Sequence, residues 1–198
     1  MQGREDPAAV KRIVDETLAG LDHLCRRPDL VQGVLGMVVE ASDRGGRPFD
    51  WRAVHRRVSA WQRRATDYLS QERGDDSDEG LSFTRENIDE VARTCRQLIA
   101  RLALDAAGGN PNENHEEVLQ AMDDVLGQFP DLVEARFYRM IASMGLASAR
   151  SHSGGSRDEV RSGLVAAKKD AEFVKARTDD DHMRDQAEQA LNEINRHL

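Results

Sequence analysis

The chain has 198 residues, of which 39% are hydrophobic, 32% charged and 5% aromatic, and its net charge is −8. That length suits one domain or two small helical units, and a compact chain of this size buries about 70% of the surface its unfolded form exposes. The acid excess speaks against a general nucleic-acid binder, which carries a basic field, and no run of about 18 apolar residues is present to span a bilayer.

The acid excess lies mostly in the second half. Residues 1–107 carry 17 basic and 19 acidic side chains, and residues 108–198 carry 11 and 17. Cys25 and Cys95 both fall on predicted apolar helical stripes, so buried free thiols are expected rather than a disulfide. No basic start followed by an apolar core opens the chain, so a secretory signal is not expected and the expected compartment is the cytoplasm.

The first helix is predicted to start at Asp6-Pro7, with Asp as cap and Pro at the first helical position. Its stripe is Val10, Ile13, Val14, Leu18, Leu21, Leu24 and Cys25, with Arg26 and Arg27 near its end. Pro28 restarts the chain. The second helix carries Val31, Val34, Leu35, Val38 and Val39, with Leu30 and Met37 besides, and is apolar nearly all round. That pattern predicts a central helix. Pro48-Phe49-Asp50 opens the third, whose stripe is Trp51, Val54, Val58, Trp61, Ala65 and Tyr68. At about 100° per residue these six fall within an arc of about 100°, a single dry face holding both tryptophans.

Residues 71–81 read as an acidic linker between halves. The fourth helix follows Thr84 and presents Ile88, Val91, Cys95, Leu98, Ile99 and Leu102, and Gly108-Gly109-Asn110-Pro111 ends it. Asn114 with Glu117 predicts a capping box for the fifth helix, whose stripe is Val118, Met122, Val125, Leu126 and Phe129. Pro130 stops it and Asp131 is expected to cap the sixth, which carries Leu132, Phe137, Met140, Ile141 and Met144. A loop is expected over 151–155. Ser156 with Glu159 makes a capping box for the seventh, with Val160, Leu164, Ala167, Ala171 and Val174. Asp179, Asp180 and Asp181 stand at the start of the eighth, where carboxylates favour a helix N-terminus, and its stripe is Met183, Ala187, Ala190, Leu191 and Ile194.

The fold expected is therefore all-α, about eight amphipathic helices in a helical bundle or a repeat-like stack of antiparallel helix pairs. Three parts are expected: an N-terminal three-helix segment (1–72), an acidic linker (73–81) and a C-terminal helical segment (82–198).

Glu116 to Ala147 resembles part of a tetratricopeptide repeat. A helix ends in Phe129-Pro130, a short turn follows, and a new helix carries Ala135 and Met144-Gly145 near its end. The family places a Pro at the end of the second helix of one repeat and a Gly at the turn inside the next. Val125-Leu126, with Pro130 four residues later, fits that arrangement. The family's large aromatic falls on Glu134, and no second copy stands at a period of 34. The resemblance covers about a third of the chain. It implies protein–protein binding through a groove between stacked helix pairs.

The sharpest charge feature is Arg44, Arg47, Arg52, Arg56, Arg57, Arg63 and Arg64, opposed only by Asp50 and interleaved with Trp51 and Trp61. Arginines among aromatics suggest phosphate contacts with base stacking. On a helix, however, Arg52, Arg56 and Arg63 lie away from the tryptophan stripe. The readings are a solvated basic face, a contact for an acidic protein or for the acidic linker, and a phosphate contact. The linker also places Asp75, Ser77, Glu79, Gly80 and Glu86 in the register of a calcium loop. Glu79 is long for its position, Ser82 stands where an apolar residue belongs, and Gly74 interrupts the preceding helix, so a solvated linker is the expectation.

No two of His23, His55, His115, His152, His182 and His197 lie four apart, and His115-Glu116-Glu117 lacks the second histidine of a zinc-protease motif. There is no glycine-rich phosphate loop after a strand and no nucleophile elbow. Adjacent carboxylates such as Asp123-Asp124 do not face one another. The chain is thus expected to be no enzyme and to hold no cofactor or metal. The expected function is a non-catalytic protein–protein interaction module, an adaptor or accessory subunit of a larger complex. The alternative is a nucleic-acid-associated accessory subunit that uses Arg52, Arg56 and Arg63. The Ala-rich stripe of the eighth helix offers a seam for an intramolecular cap or a second copy of the chain.

Overall fold

The computed structural model describes residues 6–43, 49–72 and 84–198, and these hold eight α-helices and no strand. The chain divides into two compact units, Met1–Leu102 and Ala103–Leu198. The expected linker core at 73–81 and its calcium register lie outside the described residues, apart from Glu86.

In the first unit α1 spans Pro7–Ala19, α2 Pro28–Asp43, α3 Trp51–Glu72, and α4 begins at Arg85 and runs to Ala106 in the second unit. Asp6 caps α1 by accepting the Ala8 N–H at 3.0 Å. The first helix is shorter than its stripe predicts. It stops at Gly20, whose N–H bonds to Glu16 O and Thr17 O, and a single 3-10 turn, Leu21–His23, follows. Leu21 is still buried, but Cys25 sits half-buried in a turn rather than on a helical stripe. Two causes act together. Glycine is a poor helix former, and the Leu24 carbonyl accepts the Trp61 Nε1–H at 2.8 Å, which ties this turn to α3.

The expectation that α2 is central and dry all round is corrected. Val31, Val34, Leu35 and Val38 are buried, whereas Leu30, Met37 and Val39 are 41%, 38% and 37% exposed. α2 packs against α1 along one stripe, and Gly33 and Gly36 stand exposed beside the outer apolar residues. α3 behaves as its spacing predicts. Trp51, Val54, Val58, Trp61 and Ala65 are buried and Tyr68 is half-buried. Asp50 caps it, its carboxylate accepting the Arg52 N–H at 3.0 Å.

In α4 all six stripe residues are buried. Burial pushes the Cys95 thiol up to about 12. A thiol held protonated is a poor nucleophile. Alkylation of the native protein at pH 8 is therefore expected to modify Cys25 and to spare Cys95 until the chain unfolds. Peptide mapping by mass spectrometry reads this directly, and equal modification of both would show that α4 opens in the native state.

The second unit carries α5 (His115–Gln128), α6 (Val133–His152), α7 (Arg157–Arg177) and α8 (Asp181–His197). α4 closes on Gly108 and Gly109, at φ 97° and 74°, with the Gly109 N–H on Leu104 O at 2.9 Å. Only glycine takes two such residues without strain. Ser156 and Glu159 form the expected capping box, and Asp180 caps α8 through the Met183 N–H. Two expected caps do not form. Asn114 makes no cap bond; its amide turns back to Gly108 O. Asp131 lies one residue too early, Leu132 holds the cap position, and the Asp131 carboxylate pairs with Arg177 at 3.2 Å instead. α6 also runs through Ser151 and His152, so the loop is shorter than expected.

Packing in this unit runs mainly between consecutive helices, α5 on α6, α6 on α7 and α7 on α8. The connections of three or four residues force antiparallel neighbours. Side chains confirm the direction. Lys168 meets Asn195 and Lys175 meets Glu188, seven residues onward along α7 and seven back along α8. Phe137 and Met140 of α6, Ala171 and Val174 of α7, and Ala187 and Ala190 of α8 share one core. This all-helical arrangement is compatible with a helical-repeat-like fold.

Candidate interaction surfaces

Arg52, Arg56 and Arg63 all stand exposed on α3. At 100° per residue they fall within an arc of about 40°, along about 16 Å of helix. Trp51 and Trp61 point the other way, 5% and 0% exposed. The Arg52 guanidinium folds over the near edge of α3, 4.5 Å from the Trp51 ring centroid, and Arg56 makes a long contact of 4.0 Å to Asp50. Such exposed pairs contribute about 0–1 kcal/mol. Arg57 and Arg64 are exposed on the neighbouring strip.

His55 lies half-buried beside this row. Burial lowers its pKa, and the charges of Arg96 on α4 and Arg56 lower it further. The fold therefore holds the neutral imidazole, while the unfolded chain takes up a proton near the ordinary value of about 6.5. His55 contributes stability above that value, and the contribution is lost as pH falls toward the depressed folded value. His55→Gln is expected to lose less urea stability than the parent between pH 7.5 and 5.5. An identical loss in both would remove His55 from the pH response.

The second unit holds a larger feature. α6, α7 and α8 enclose a groove of about 840 Å³. Its floor is apolar, from Met140, Ile141 and Met144 of α6, Val160 and Leu164 of α7 and Ala190 of α8. Its rim is polar and nearly uncharged, with Ser148 and Ser151 on α6 and Gln186, Gln189 and Glu193 on α8. Along α6 the lining runs from Met140 to His152, about 18 Å or three helical turns. Methionine supplies a floor that adapts its shape to what it touches.

On the other side of α6 a smaller groove of about 650 Å³ carries Arg136, Arg139, Arg150 and Lys169. Its first two arginines already have partners. Asp170 of α7, whose side chain is 1% exposed, accepts from Arg136 Nη1 at 3.0 Å and from Arg139 Nε and Nη2 at 2.7 and 2.8 Å. Arg139 also reaches Asp123 of α5 at 2.7 Å. Asp170, with Asp123, raises the Arg139 pKa above its ordinary value, against the opposing effect of burial. Arg136 Nε and Nη2 donate to Pro130 O, and Phe173 lies between Arg136 and Arg177. This clasp is structural, and it joins α5, α6 and α7.

The clasp is not read from the sequence, and a groove enters there only as what the tetratricopeptide resemblance implies. The clasp had a signal, because Asp170 stands on the dry stripe itself, three after Ala167 and four before Val174. A carboxylate in that place demands a cation. The lining of the groove had none, since it depends on how α6, α7 and α8 pack on one another, which the period of each helix does not encode. Among the described residues no three His, Cys, Asp or Glu side chains gather to hold a metal ion, and no helix is long and apolar enough to cross a membrane. Compared with protein-family models, curated proteins and solved structures, the chain matches none.

Proposed function

We propose that this chain is a non-catalytic protein-interaction module, an adaptor or accessory subunit. In this reading its C-terminal unit receives an amphipathic helix of a partner protein in the α6–α7–α8 groove. The observation that carries it is that groove, whose lining along α6 is three helical turns long, with an apolar floor beside a hydrogen-bonding rim. A helix laid in such a groove buries one apolar face and keeps its polar face wet. The rim of amides, hydroxyls and imidazoles, with Glu193 as its one carboxylate, suits a polar edge that offers hydrogen bonds. Free rather than paired cysteines suit a reducing compartment such as the cytoplasm.

The tetratricopeptide resemblance supports the same reading, with one change. Pro130 does follow the end of α5, and α6 does pack antiparallel to its neighbours. Gly145, however, lies inside α6 and marks no turn. It lets the His115 ring come close to the α6 backbone.

The test is a pull-down with the tagged full chain, after nuclease, comparing the parent with Ser148→Arg/Gln189→Arg. Both positions are exposed on the groove rim, so the change blocks the groove and leaves the core intact. A stoichiometric protein held by the parent and lost by the blocked variant supports the reading. The same partners on both would refute it.

A further inference from the structure

The arginine row on α3 has no part in that groove. We propose that it is a second contact, which docks an acidic segment of the partner protein; this rests on the interaction reading above. Arg52, Arg56 and Arg63 share one line about 16 Å long, with Arg57 and Arg64 beside it. No Asp or Glu stands between residues 51 and 66, in a chain whose net charge is −8. Like charges four apart, as at Arg52 and Arg56, weaken a helix. In this structure Arg52 rests on the Trp51 ring and Arg56 makes one long contact of 4.0 Å to Asp50, and a carboxylate ligand would lessen the repulsion that remains.

The residue type narrows the ligand. All five are arginines, whose planar fork holds a carboxylate or phosphate through paired hydrogen bonds. Two observations favour carboxylates of a protein over a nucleic acid. Trp51, its ring under the Arg52 guanidinium, and Trp61 are both buried, and Trp61 Nε1–H is committed to Leu24 O, so neither tryptophan offers a base-stacking platform on this face. A nucleic acid would also carry its charge far beyond the row into the field of a net-acidic protein, whereas a short acidic segment covers the row alone.

The probes are fluorescein-labelled peptides of twelve residues, Glu-Ala repeats and Gln-Ala repeats, and a single-stranded oligonucleotide of twelve bases. Each is titrated against the full chain at low and at physiological salt and read by anisotropy. The Glu-Ala peptide is expected to bind and the Gln-Ala peptide not. Its affinity should fall with salt, and Arg52→Gln/Arg56→Gln/Arg63→Gln should weaken it about tenfold or more with a flatter salt slope. Arg57→Gln/Arg64→Gln should weaken it less. Three results would overturn the proposal: no Glu-Ala binding at low salt, tighter oligonucleotide binding lost in the same triple variant, or peptide binding that appears only after Asp75, Asp76, Asp78 and Glu79 are neutralised. The last would make the chain's own acidic segment the occupant. Ser148→Arg/Gln189→Arg leaves the row intact, so a failure here is separable from a failure of the groove.

Discussion

Asp170→Ala is expected to destabilise the C-terminal unit by about 3–5 kcal/mol, because it removes the anion from two cations and leaves both in place. The Asp170 side chain is 1% exposed, and those of Arg136 and Arg139 are 23% and 26% exposed. One carboxylate thus accepts three N–H bonds, and Arg139 meets it through the Nε–Nη2 edge. The fork-on-carboxylate geometry is the strong form of this interaction. Exposed pairs such as Arg27–Asp29, with side chains more than half exposed, are screened by water and will be missed far less. The position matters as much as the chemistry. Through Arg139 the clasp reaches Asp123 on α5, and through Arg136 it holds the Pro130 carbonyl in the α5–α6 connection. Its loss should loosen three elements together. Urea unfolding followed by circular dichroism gives the magnitude, and amide exchange should quicken in α5, α6 and α7 at once. A change under about 1 kcal/mol would mean that the two guanidiniums find water easily and that the clasp is ornamental.

Gly145→Ala is the second large effect, and its sign is the informative part. Inside a helix, Ala is favoured over Gly by about 1 kcal/mol. Here the substitution is expected to cost about 1–3 kcal/mol net, the usual range for overpacking. A Cβ at residue 145 would lie 2.6 Å from His115 Nδ1 and 2.8 Å from Nε2, where no real Cβ sits. The ring does not swing away freely, since Nδ1 bonds Pro111 O at 2.9 Å. α5 and α6 must therefore part, or that bond must break. In a His115→Ala background the clash is gone and Gly145→Ala should become stabilising. A double-mutant cycle of the four proteins measures the reversal. If Gly145→Ala already stabilises the parent, the ring yields and the close approach of the two helices is not held by glycine.

Much of the fold was legible because most helices here obey one rule, an apolar stripe of period 3.6. The stripes of α3 and α4 are buried as their spacing predicts, and the Ser156–Glu159 box forms where it is written. What failed was local competition. α1 ends early because Gly20 and the Trp61 bond to Leu24 outweigh a stripe that continues on paper. α2 has enough apolar residues for a central helix, yet among the described residues one stripe is buried and Leu30, Met37 and Val39 are exposed. Asn114 and Asp131 are good capping residues whose side chains found other partners, Gly108 and Arg177.

The site was legible only in part. Arg52, Arg56 and Arg63 stand on one exposed line because a single helix decides their relation. The groove depends on how α6 and α8 flank α7, a relation that periodicity does not encode. Nor does periodicity say that a half-buried Met144, packed on the core, also lines an opening.

The central claim is that the α6–α7–α8 groove receives a partner. The most direct measurement is the affinity of the purified, captured partner for the parent chain and for Ser148→Arg/Gln189→Arg, by titration calorimetry, with thermal melts of both. The account predicts a loss of about tenfold or more, about 1.4 kcal/mol or more of binding free energy, at unchanged melting temperature. Equal affinity for two equally stable proteins would contradict it and place the binding surface elsewhere.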